Sequence, residues 1–147
     1  MVTCALWNSQ YIDYCLKLSM EWIERPKFIN GTVNKLPFPD LPDNLKKELK
    51  EIAIRQFYRV KTVSQGDEKS INFSSFDFFD RPGISIAEEY IVKRNEIQDI
   101  KKDYLQDLDQ LNELVYSQFN VSTKERKDIN EITSKAGKST EGRFSIQ

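Results

Sequence analysis

At 147 residues the chain has room for one domain of ordinary size, or for a helical part of something larger, and not for two independent cores. Hydrophobic residues at 39% suffice for a core, while 31% charged residues require a heavily charged surface. A net charge of −1, with both signs interspersed, excludes a global field that would draw the chain to nucleic acid or membrane, so any such binding must be local.

No apolar run approaches the roughly 20 residues a membrane helix needs, and the opening Met-Val-Thr-Cys-Ala-Leu-Trp lacks the basic flank and apolar core of a signal peptide. Two cysteines, Cys4 and Cys15, are eleven positions apart on an expected helix. That places them about 16 Å apart along its axis, beyond the reach of a disulfide. Two isolated thiols fit a reducing compartment, so a cytoplasmic location is expected. The Asn-x-Ser/Thr triplets at Asn30, Asn72 and Asn120 are then chance matches.

From Leu6 to Ile23, Trp7, Tyr11, Tyr14, Cys15, Leu18 and Trp22 recur every three or four positions and predict one helix face, with Asn8 and Ser9 as candidate caps. The run ends at Arg25-Pro26, where the proline pushes its neighbour out of the helical region. Apolar residues around Asn30-Gly31 are a hairpin signal for at most two very short strands. Leu36-Pro37-Phe38-Pro39-Asp40-Leu41-Pro42 then forces an extended path, since its prolines exclude both helix and central strand.

A second helix is expected to open near Asp40 to Asp43, with Pro42 in its first turn and Leu45, Leu49, Ile52, Ala53, Phe57 and Val60 on one face. From Lys61 to Gly83 the periodicity vanishes; Ser64 to Ser70 reads as a polar loop, and Phe73, Phe76, Phe78 and Phe79 as rings that dock it. Ser85 with Glu88 forms a capping box for the longest element, whose seam runs through Ile97, Ile100, Tyr104, Leu108, Leu111 and Val115 to Phe119. About 34 residues at 1.5 Å each give a rod of roughly 50 Å, longer than a small domain is wide. Asn120 suits the left-handed residue that ends such a helix, and Ser122 with Glu125 opens a last one to about Lys135. The expected fold is therefore mainly α, a helical hairpin or bundle with one long helix, a Pro-rich connector and an irregular aromatic loop. Residues 136–147 read as a disordered tail.

The absence of histidine removes the commonest general base and excludes Cys-His and Ser-His-Asp arrangements. Two separated cysteines cannot make a structural zinc site, and no phosphate-cradling glycine loop occurs among five glycines. Pro39-Asp40 followed by Asp67-Glu68-Lys69 reproduces the order of a metal-dependent nuclease motif. That chemistry needs both carboxylates held rigidly at one metal ion, usually on adjoining strands, whereas a helix separates these and a charged, solvated loop explains Asp67 and Glu68 as well. Lys46, Lys47, Lys50, Arg55, Arg59 and Lys61 make the second helix basic, but Glu48 and Glu51 interrupt the face, as on an ordinary solvated helix.

Three segments, taken together, resemble the C-terminal part of large adenine-specific DNA methyltransferases, the type IIG restriction–modification enzymes and the methyltransferase of BREX phage-defence systems. Leu6-Trp7-Asn8-Ser9 with Tyr11-Ile12-Asp13-Tyr14, and then Leu36-Pro37-Phe38-Pro39, looks like the close of a target-recognition domain, and is also similar to type I specificity subunits. Gly66-Asp67-Glu68-Lys69-Ser70-Ile71-Asn72-Phe73 is similar to the family's Asp-Glu-Thr-Ser loop followed by an aromatic, with Lys69 in place of threonine. Leu111-Asn112-Glu113-Leu114-Val115-Tyr116-Ser117-Gln118-Phe119-Asn120-Val121-Ser122 is like the family's ending, with Phe119 and Asn120 where Tyr and Gly are common.

The resemblance implies that residues 1–42 are the end of a target-recognition-like region and 43–135 a helical C-terminal region. Neither the Asn-Pro-Pro-Tyr/Phe motif for a flipped adenine nor a glycine-rich S-adenosylmethionine motif is present, so this chain would not methylate DNA alone. It would support target recognition, with S-adenosylmethionine bound in the catalytic part of the parent, in cis or in trans, and with double-stranded DNA as partner. Phosphate contacts would fall to Lys35, Lys47, Arg55 and Arg59. Two other readings stand beside it: a helical protein–protein interaction module with no DNA role, and a nuclease using Asp40, Asp67 and Lys69.

Overall fold

The computed structural model describes residues 1–19, 31, 36, 38–67, 69–74 and 83–136, with side chains to Thr133. Its helices are α1 (Val2–Asn8), α2 (Gln10–Ser19), α3 (Asp43–Gln65), α4 (Ile86–Gln118) and α5 (Thr123–Ala136). The mainly helical fold is the one the periodicity implies. Apart from Gly31, the expected hairpin around Asn30 lies outside the described residues, as do Trp22, the Phe76 to Phe79 rings and the tail from residue 137.

The chain divides into two compact units, one over Met1–Ala53 and Leu108–Gly137, the other over Ile54–Asp107. In the first unit, Ile12 and Leu16 of α2, Leu49 and Ile52 of α3, and Leu111 and Val115 of α4 are buried in one cluster with Ala5, Leu6, Leu36 and Leu41. Complete burial stabilises each large aliphatic side chain by about 1.5–3 kcal/mol relative to exposure. A second cluster, Tyr116, Val121 and Ile129, sets α5 beside the end of α4, and α5 also packs on α2.

The first expected helix is two. Ser9 has an extended backbone (φ −76°, ψ 146°) and separates α1 from α2. Its hydroxyl donates to Leu6 O at 2.6 Å and accepts from Ile12 N at 3.4 Å, so one buried serine closes the first helix and opens the second. The break resets the buried stripe. Leu6, Ile12 and Leu16 go inside, Tyr11, Tyr14 and Cys15 are half-buried, and Leu18, expected on the inner face, is 63% exposed.

Helix α3 begins after Pro42, whose carbonyl accepts Lys46 N at 3.0 Å. It runs to Gln65, past the expected loss of periodicity, because helical hydrogen bonding continues through Val63-Ser64 before Gly66 N and Asp67 N turn back to Val63 O and Ser64 O. The residue that continues the Leu49, Ile52, Ala53 stripe inward is Gln56, at 2% exposure, and Phe57, expected inside, is 53% exposed.

Helix α4 opens on the Ser85–Glu88 box: Ser85 N and Oγ donate to Glu88 Oε2 at 3.0 and 2.7 Å, and Glu88 N donates to Ser85 Oγ at 3.3 Å. Before it, Gly83 has φ +93°, a conformation a side chain would strain. At the other end Asn120 has φ +53°. Val121 N reaches Tyr116 O at 2.9 Å and Asn120 N reaches Ser117 O at 3.2 Å, the paired reverse bonds of a left-handed helix stop, with Val121 packed on Tyr116. Ser122 and Glu125 then form the second box, with Ser122 N to Glu125 Oε2 at 2.8 Å and Glu125 N to Ser122 Oγ at 3.4 Å.

Asn120→Ala is expected to cost about 1 kcal/mol, because only residues tolerant of positive φ sit there cheaply, while Asn120→Gly leaves stability unchanged or raised; urea midpoints of the two variants measure this. The hydrogen bonds from Ser85 and Ser122 hold the Glu88 and Glu125 carboxyls below the usual carboxylate range. Their contribution to stability is therefore complete above the unfolded value of about 4.3 and is lost as pH falls through the lowered folded values. Melting temperature followed from pH 6 down to pH 3 is expected to fall less steeply for a Glu88→Gln/Glu125→Gln variant than for the parent protein.

Candidate functional site

The motif-bearing residues from the two ends of the chain meet in the first unit. Asn112 and Tyr116 are one turn apart on α4, so they share a face, and both reach the first residue of α2. Gln10 N donates to Asn112 Oδ1 at 2.9 Å, and the Tyr116 hydroxyl donates to Gln10 Oε1 at 2.9 Å. One of the N–H groups that a helix leaves free at its start is thus satisfied by a side chain 102 positions away. Tyr11 stacks on Phe119 with ring centroids 4.3 Å apart and 33° between planes.

Around this joint, Arg126 of α5 lies over the Tyr116 ring at 5.0 Å, its Nη1 donates to both Glu113 carboxylate oxygens (3.1 and 2.9 Å), and its Nε donates to Val121 O at 3.3 Å. Burial raises the Tyr116 phenol, with Arg126 opposing the rise, and burial also raises Tyr11. Both phenols stay protonated at neutral pH and act as hydrogen-bonding and packing groups. Chemically the cluster is a joint: it fixes the start of α2 against the end of α4.

The remaining motif positions divide between core and surface. Ser9 is the buried cap described above, Asn8 is the exposed last residue of α1, and Asn120 is the helix stop. Leu36 is buried in the first unit's core, Phe38 is 46% exposed and Pro39 is half-buried. Pro37, Lys35 and Glu68 lie outside the described residues.

The residues expected at phosphates part company. Lys47 is exposed, and its side chain makes no hydrogen bond or ion pair among the described residues. Arg55 and Arg59 converge instead on Asp107, whose side chain is 8% exposed. Arg55 Nε and Nη2 donate to Asp107 Oδ1 at 3.1 and 2.9 Å. Arg59 Nη1 donates to Asp107 Oδ2 and, at 2.9 Å, to Asp103 O. A phosphate would compete with a buried carboxylate for these guanidinium groups.

The residues of the nuclease pattern are exposed, Asp40 in the first unit and Asp67 and Lys69 in the second. Asp67 Oδ1 accepts Lys69 N at 3.0 Å, a turn-forming bond. Among the described residues no group of three or more His, Cys, Asp or Glu side chains is placed to hold a metal ion. No helix among them is long and apolar enough to cross a membrane.

Sequence reasoning missed Gln10, Asp107, Glu113 and Arg126. Asp107 left a signal, a charged residue at a seam position between Tyr104 and Leu111; Gln10 left none. No family model, no curated protein and no solved structure matches the chain.

The two kinds of cation should respond differently to substitution. Lys47→Ala is expected to leave stability within about 0.5 kcal/mol of the parent. If Lys47 meets a phosphate, it also lowers the salt slope of DNA binding by about one. Arg59→Ala is expected to destabilise by about 2 kcal/mol, because it strips charged hydrogen bonds from a buried carboxylate. Urea unfolding and fluorescence anisotropy with labelled duplex at several salt concentrations measure both.

Proposed function

We propose that this chain is a non-catalytic C-terminal part of an adenine-specific DNA methyltransferase of the restriction–modification or phage-defence kind, and that it braces the end of the target-recognition region. The observation that carries the reading is the joint at Gln10. The resemblance rests on separate segments of sequence; Gln10, which falls between the two halves of the first, is hydrogen-bonded to Asn112 and Tyr116 of the last, and Tyr11 of the first stacks on Phe119 of the last. Asn120, standing where glycine is common in the resembled ending, adopts the left-handed conformation that glycine would serve.

In this reading adenine flipping, S-adenosylmethionine binding and methyl transfer belong to the catalytic part of the enzyme, in cis or in trans, and this chain holds no cofactor. Double-stranded DNA is the partner in that context, and the location is cytoplasmic. Base reading falls to segments other than this one. Phosphate contacts fall first to Lys47 and Lys35, with Arg55 and Arg59 available only at the expense of Asp107.

A second reading, a helical protein–protein interaction module, is favoured by the exposure of apolar side chains in the second unit. Nine of the thirteen exposed large hydrophobic residues among those described, including Phe57, Tyr58, Ile86 and Ile91, belong to it.

One experiment separates the two. The gene is expressed with its flanking coding sequence in a methylation-free host, with and without an in-frame deletion of residues 1–136, and N6-methyladenine is mapped across the genome. Loss of methylation at one short sequence motif, with S-adenosylmethionine binding retained, is the expected result. An unchanged methylome contradicts the methyltransferase reading, and a stable dimer by light scattering would then favour the interaction module.

A further inference from the structure

We draw no further inference here: the strongest candidate, the exposed apolar patch formed by Ile84, Ile86, Tyr90 and Ile91 at the start of α4, has nothing in the structure to show what covers it.

Discussion

A single backbone amide, Gln10 N–H, has its partner on the far side of the sequence, and much of the first unit is arranged around that fact. Helix α2 can begin at Gln10 because Ser9 ends α1 and caps α2, and because Asn112 supplies the acceptor the first turn lacks. Tyr116 fixes the Gln10 side chain from the same face of α4. Once α2 is set in this way, Ile12 and Leu16 point into the apolar cluster and Tyr11 meets Phe119. The left-handed stop at Asn120 then turns the chain so that Ile129 of α5 reaches Tyr116 and Val121. Local capping and long-range packing therefore specify the same geometry, the agreement between levels expected of a well-determined fold.

The two units are held by different physics. The first buries aliphatic side chains almost exclusively, with Ser9, Asn112 and Thr133 as polar members that each make hydrogen bonds. In the second, the buried described residues are Gln56, Glu89, Tyr104 and Asp107, three of them polar or charged. Asp107 is matched by two arginines, yet the Gln56 amide has no hydrogen-bond partner among the described residues. A buried ion pair contributes little net stability because desolvation offsets its attraction, and an unmatched buried amide costs about 1–3 kcal/mol. Among the described residues, then, the second unit shows little apolar interior and many exposed apolar side chains.

The sequence was most legible where structure is local. Both capping boxes, the left-handed asparagine and the extent of the long helix follow from residues within a few positions of each other, and all are present. Inward-facing positions were legible only where the helix was unbroken. A period of three or four identifies α2 but not its rotation. Ser9 sets that rotation, and so Ile12 is buried while Leu18 is exposed. On α3 an apolar residue, Phe57, was the obvious choice for the inner face, and its polar neighbour Gln56 occupies it. The basic character of α3 misled in a related way. Arg55 and Arg59 look like a free cationic face until Asp103 and Asp107, 44 to 52 positions away, are brought beside them. Long-range pairing leaves almost no trace in one sequence, and the same limit hid Gln10.

Under the proposed methyltransferase reading Asn112 and Tyr116 lie in the most specific of the three segments; in the structure they hold the helix that follows Asn8-Ser9. This side-chain clasp, beyond general hydrophobic packing, sets the start of α2. Native-state hydrogen exchange on the parent protein and on Asn112→Ala tests it most directly. Gln10 and the first turn of α2 are expected to lose protection in the variant, and the amides of α5, which packs on α2, to weaken with them. Unchanged protection at Gln10 in Asn112→Ala would contradict it.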